Sequence, residues 1–156
     1  MEIDQAWLIE QTWDQVINLN ASLCTAQKFD CKLMPKADKA QALWTKNHTR
    51  SMSLLDALEL CRRCNDFRPF LFNCSNTFTA LGGDLVEGWA TQLSSIEGHM
   101  LRQTTTHYVD GRVRRKELVD LLKFLQRRPL KPVQRKSKQE TPAPPSLEQV
   151  RAHQVA

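Results

Sequence analysis

Along the first two dozen residues, apolar positions recur at helical intervals. Leu8, Ile9, Trp13, Val16, Ile17, Leu19 and Leu23 fall on one broad face, and Asp4 stands where a cap is needed, so this stretch predicts an amphipathic helix. Trp7 lies off that face and is expected to pack on a second element. After a loop holding Cys31 and Pro35, the spacing of Ala40, Leu43 and Trp44 predicts a short second helix. "SLLDALELCRRC" begins with Ser53 as a cap and Asp56 in the first turn, the start signal of a third. Phe78, Leu81, Leu85, Val86 and Trp89 repeat the helical spacing, and Gly82-Gly83 is a point where that element could break in two. Ser94-x-x-Glu97 opens another helix and Asp110-Gly111 stops it. A last one runs from about Val113 to Arg128.

No repeat and no alternating strand pattern interrupts this series, although "PFLFNC" is short enough to suit either helix or strand. The expected fold is all-α, a compact bundle of five or six helices within a single domain over residues 1–128. Beyond Arg128 the pattern ends. Five of the seven prolines lie at 129, 132, 142, 144 and 145 with few apolar residues beside them. Such a segment cannot offset its ordering entropy by burial, so 129–156 is expected to be a flexible, disordered, basic tail.

Composition narrows the class. With 156 residues, 41% hydrophobic and 25% charged, the chain can bury a real core. Its start carries acids where a secretory signal needs bases, and no apolar run reaches membrane-spanning length, so a cytoplasmic protein with reduced thiols and no membrane partner is expected. Five cysteines leave one unpaired in any disulfide framework. On that view the N-x-[ST] triplets at Asn20, Asn47 and Asn73 are chance matches.

The cysteine segment "LELCRRCNDFRPFLFNC" raises the question of metal. Cys61-Arg62-Arg63-Cys64-Asn65 has the local form of a zinc knuckle, with Asn65 able to turn left-handed and two arginines that would favour thiolate. Structural zinc needs four ligands, however, and only Cys74 follows nearby; Cys24, Cys31, His48 or another distant residue would have to complete the set. Cys61 and Cys64 also lie one turn apart at the end of an apolar helix face, where cysteine serves as a small buried hydrophobe. The expectation is structural thiols and no cofactor, with Cys61, Cys64 and Cys74 as the zinc ligands if metal binds. His99 and His107 stand eight residues apart on one helix, not at metalloprotease spacing. No phosphate-binding loop, nucleophile elbow or paired-acid motif appears, so a non-enzymatic role is expected.

Charge carries the functional expectation. Residues 112–138 hold eleven Lys and Arg against Glu117 and Asp120, a local balance of +9, whereas the rest of the chain holds eleven bases against fifteen acids. On a helical projection Val113, Leu118, Leu121, Leu122, Phe124 and Leu125 share one side. Arg112, Arg115, Lys116, Lys123 and Arg127 gather on the other. The candidate polyanion-binding set is therefore Arg112, Arg114, Arg115, Lys116, Lys123, Arg127 and Arg128, extended by Lys131, Arg135, Lys136 and Lys138. The partner class this implies is nucleic acid, DNA or RNA, contacted through phosphates. The order helix, Asp-Gly turn, basic helix also matches a helix-turn-helix, although any two neighbouring bundle helices share it. The alternative is an adaptor or assembly subunit docking an acidic protein surface.

Overall fold

Hydroxyl caps set several helix starts in the structure, a computed structural model that describes residues 4–127. Thr12 Oγ1 accepts from the Gln15 amide at 3.2 Å, Ser53 Oγ from Asp56 at 3.1 Å, and Ser94 Oγ from Glu97 at 3.2 Å. Each satisfies one of the amides that the first helical turn leaves without a partner. The elements that result are α1 (Trp13–Ala26), α2 (Ala37–Asn47), α3 (Leu54–Asp66), α4 (Cys74–Ala90), α5 (Ser95–Val109) and α6 (Arg115–Gln126). The fold is all-α. Among the described residues only two isolated antiparallel bridges form, Gln5 with Met52 and Leu33 with Phe70. None of the helices there is long and apolar enough to cross a membrane. The Pro-rich segment 129–156 lies outside the described residues.

Two expectations about helix extent are corrected. The first helix starts at Trp13, not near Asp4. Gln5 and Met52 exchange backbone hydrogen bonds at 3.0 and 2.9 Å, and the Trp44 indole donates to Gln11 O at 2.7 Å, so residues 5–11 run along the bundle as a pinned segment. Leu8 is buried from that segment, Trp7 packs against the core, and Ile9 points to solvent. The second correction is that Gly82-Gly83 does not divide α4. A Cβ on Gly82 would stand 3.0 Å from Val109 Cγ2 and 3.3 Å from Leu58 Cδ2. This glycine lets α3, α4 and α5 approach closely, and the helix continues through it.

Those three helices form the centre, with Leu58, Phe78, Leu101, Tyr108 and Val109 shielded from solvent. Helix α2 covers α3 and contributes Trp44, α1 lies on α4, and α6 packs on α5 through Leu118, Leu122 and Leu125. Removing a ring such as that of Phe78 would cost about 3–5 kcal/mol in lost transfer energy and residual cavity.

Short connections bring three loops to one end of the bundle. Met34 N donates to Pro69 O at 2.8 Å and Leu71 N to Lys32 O at 2.9 Å, joining loop 27–36 to loop 67–73. The Asn65 amide donates to Ser75 Oγ at 3.3 Å and to Val109 O at 3.2 Å, which ties the end of α3 to the start of α4 and the end of α5, the helix ends that loops 67–73 and 110–114 adjoin.

Candidate nucleic-acid interface

Helix α6 starts where Glu117 turns back to accept from the Arg114 amide at 3.2 Å. The i, i+4, i+7 spacing of Leu118, Leu122 and Leu125 then buries one side, as the sequence implies. Phe124, assigned to that apolar side, is instead exposed; it lies one residue before Leu125 and is rotated away from the seam.

The expected basic stripe divides into two groups. Arg115 Nη1 donates to Glu59 Oε2 at 2.7 Å and its guanidinium also lies 3.6 Å from Asp56, so it fastens α6 to α3. Arg112 is held by Asp110 at 2.7 Å. The other group is Lys116, Lys123 and Arg127, which are exposed and form no ion pair with other described residues. Their spacing puts them on one side of α6 in a row about 16 Å long, with Asp120 among them. Arg114 is exposed beside the first turn. Arg128, Lys131, Arg135, Lys136 and Lys138 lie outside the described residues.

Around Arg115 the packing is firm. Arg62 Nη1 donates to Val113 O at 3.2 Å and the guanidinium sits 4.8 Å from the Tyr108 ring centroid, a cation–π contact. Burial raises the Tyr108 hydroxyl above its ordinary pKa, and Glu59 adds to this, against the opposing pull of Arg115 and Arg62. These groups lock α3, α5 and α6 together and are structural. An α5–turn–α6 unit is thus present, but the first turn of its second helix spends one of its arginines on the protein itself.

The cysteine segment does not form the turn that a knuckle needs. Helix α3 runs through Cys61, Cys64 and Asn65 to Asp66, and the left-handed positions of the segment are Arg68 and Asn73, with φ 51° and 56°, not Asn65. Asn65 is buried and uses its amide on Ser75 and Val109. Cys64 Sγ donates to Ala40 O at 3.7 Å and Cys74 Sγ to Asn65 Oδ1 at 3.3 Å. The arginine charge does favour thiolate at Cys64, but burial outweighs it. Burial pushes Cys61 well above the ordinary thiol value and Cys64 up to about 12, the latter against the opposing charge of Arg63. Burial raises Cys74 as well. Among the described residues no group of three or more His, Cys, Asp or Glu side chains converges as a metal site.

One basic cluster escaped the sequence reading. Lys28, Lys32, Lys36 and Arg68 are exposed on the two loops joined by the Lys32–Leu71 and Met34–Pro69 hydrogen bonds, at the same end as Arg112 and Arg114. The density of lysine in "KFDCKLMPK" is a signal, but only the pairing of the loops adds Arg68 and the α5–α6 turn to it. Comparison of the chain with protein-family models, with curated proteins and with solved structures finds no match in any of the three.

Proposed function

We propose that the protein is a small accessory or regulatory nucleic-acid-binding protein that contacts phosphates through Lys116 and Lys123 on α6 and Arg127 at its C-terminal cap. The observation that carries this reading is the row of exposed cations opposite the buried Leu118, Leu122 and Leu125, which presents charge from a rigid support. In sequence the row continues directly into Arg128, Lys131, Arg135, Lys136 and Lys138, with no acid between 128 and 138. A long run of cations, interrupted on α6 by Glu117 and Asp120 alone, suits a long polyanion better than it suits a folded acidic surface. With Arg115 engaged by Glu59, the reading favours sequence-independent phosphate contact over base recognition by the start of α6.

Lys116→Ala/Lys123→Ala tests this in the full chain, by fluorescence anisotropy on labelled DNA and RNA across a salt series. The double variant should weaken binding by a similar factor for every sequence and flatten the slope of log affinity against log salt by about one unit per lost contact. Unchanged affinity and slope would exclude α6 as the contact surface. Selective binding to an acidic protein with no affinity for DNA or RNA would establish the adaptor reading instead.

A further inference from the structure

The end of the bundle where loops 27–36, 67–73 and 110–114 meet carries a feature that phosphate contact alone does not use. Phe29 and Phe72 stack with centroids 4.6 Å apart and planes at 11°, yet remain 45% and 36% exposed. Leu33 and Leu71 flank them at 53% and 45% exposure. A solvent-facing aromatic pair beside two aliphatic side chains is costly to leave in water, and such patches mark contact surfaces.

The backbone beneath this patch is fixed. Among the described residues, the three non-glycine positions with positive φ lie in the two loops: Lys28 at 60°, Arg68 at 51° and Asn73 at 56°. Non-glycine residues seldom occupy this region, and they persist where the surroundings over-determine them. Next to Asn73, buried Asn20 supplies such a constraint, donating to Phe72 O at 2.8 Å and to Thr77 Oγ1 at 3.1 Å. The Cys24 thiol donates to the same carbonyl at 3.6 Å. A hollow of about 400 Å³ on the same loop is lined by Met34, Arg68, Phe70, Leu71, Asn73 and Asn76, but by neither Phe29 nor Phe72.

Charge identifies the occupant. The two loops carry Lys28, Lys32, Lys36 and Arg68 against Asp30, with Asp66 exposed just before loop 67–73; across the Asn65–Val109 link Arg114 is exposed and Arg112 is held by Asp110. We infer that this end of the bundle is a binding platform for single-stranded nucleic acid. Unpaired bases stack on the exposed faces of Phe29 and Phe72, and their phosphates lie against Lys28, Lys32, Lys36 and Arg68. A stacking surface set in a cationic rim is the arrangement that reads a single strand without regard to sequence, since every base offers a π-face. A duplex buries those faces and gains only the rim. The inference shares with the proposed function the premise that the protein binds nucleic acid, but it names a different surface and a strand preference.

The test is anisotropy with fluorescein-labelled oligothymidylate of about 20 nucleotides, long enough for one such site, and with its duplex. Wild type should prefer the single strand. Phe29→Leu/Phe72→Leu keeps the apolar area but removes the π-faces, and should weaken single-strand binding by about tenfold while changing duplex binding less than about twofold. Because both rings are exposed, circular dichroism should show an unchanged fold. Lys32→Ala/Lys36→Ala, on exposed side chains, provides an independent arm and should flatten the single-strand salt slope. Equal affinity for single strand and duplex, or single-strand binding unaltered in both variants, overturns the platform. If Lys116→Ala/Lys123→Ala still weakens binding in that case, the α6 reading survives its failure. Tighter capture of an acidic, leucine-rich peptide than of the oligonucleotide, unaffected by the leucine substitutions, also overturns it in favour of a protein partner.

Discussion

Replacing Asn20 by Ala is the sharpest test of how the bundle holds its loop end. Asn20 is buried on α1, and its amide makes two hydrogen bonds across the bundle, 2.8 Å to Phe72 O and 3.1 Å to Thr77 Oγ1. Neither partner is wholly stranded by the substitution, since Cys24 Sγ also approaches Phe72 O and the Thr77 hydroxyl donates to Asn73 O at 2.7 Å. Two lost hydrogen bonds at about 1 kcal/mol each, with about 1 kcal/mol more for imperfect solvation of what remains, give about 3 kcal/mol of destabilisation. For a domain of this size 1 kcal/mol moves Tm by about 4 °C, so Asn20→Ala should melt about 12 °C lower. Differential scanning calorimetry of the full chain reads this directly, and guanidinium titration at constant m-value gives the free energy without extrapolation in temperature. A fall of less than about 4 °C would refute the argument, because it would mean that water or a neighbour replaces the amide at no cost.

Further outcomes follow from single residues. Gly83→Ala, where an added Cβ meets nothing within 4 Å, should raise stability by about 0.5–1 kcal/mol through helix propensity, whereas Gly82→Ala should lower it because Val109 Cγ2 stands 3.0 Å away; paired denaturant melts decide both. Arg115→Ala should cost up to about 1 kcal/mol and leave the nucleic-acid salt slope unchanged, because its charge is spent on Glu59 and Asp56. Glu87 is held below the ordinary carboxylate value of 4.5 by its hydrogen bonds to Arg102. Its contribution is therefore present above that value and lost as pH falls through the depressed one, so the stability gap between wild type and Glu87→Gln should close in acid. Cys31, the one exposed thiol of the five, should react with a disulfide reagent in the native state while Cys24, Cys61, Cys64 and Cys74 wait for unfolding, and elemental analysis of protein purified without chelator should find no stoichiometric zinc.

The helical content was legible because amphipathic spacing and capping signals agree. Ser53-x-x-Asp56 and Ser94-x-x-Glu97 set their helix starts as read. Thr12-x-x-Gln15 carries the same kind of signal, but the apolar run from Leu8 obscured it. Tertiary backbone pairing of Gln5 with Met52 then decides against helix before Trp13. Gly82-Gly83 misled for a related reason: a glycine pair reads locally as a break, whereas here it answers a crowding by Leu58 and Val109 that only the packed bundle reveals. Within the basic segment, Leu118, Leu122 and Leu125 were legible from periodicity. The capture of Arg115 by Glu59 was not, because the partner lies on another helix. The loop-end cluster shows the same limit: Lys32 and Leu71 become neighbours through one backbone hydrogen bond, and no local pattern announces it.

The measurement that bears most directly on the functional account is equilibrium binding of the full chain to DNA and RNA over a salt series. Measurable affinity is expected at about 50 mM salt, falling linearly on a log–log scale with a slope of several units. No affinity for either nucleic acid at that salt concentration would contradict the proposed function, and would leave the exposed cations of α6 to an acidic protein partner.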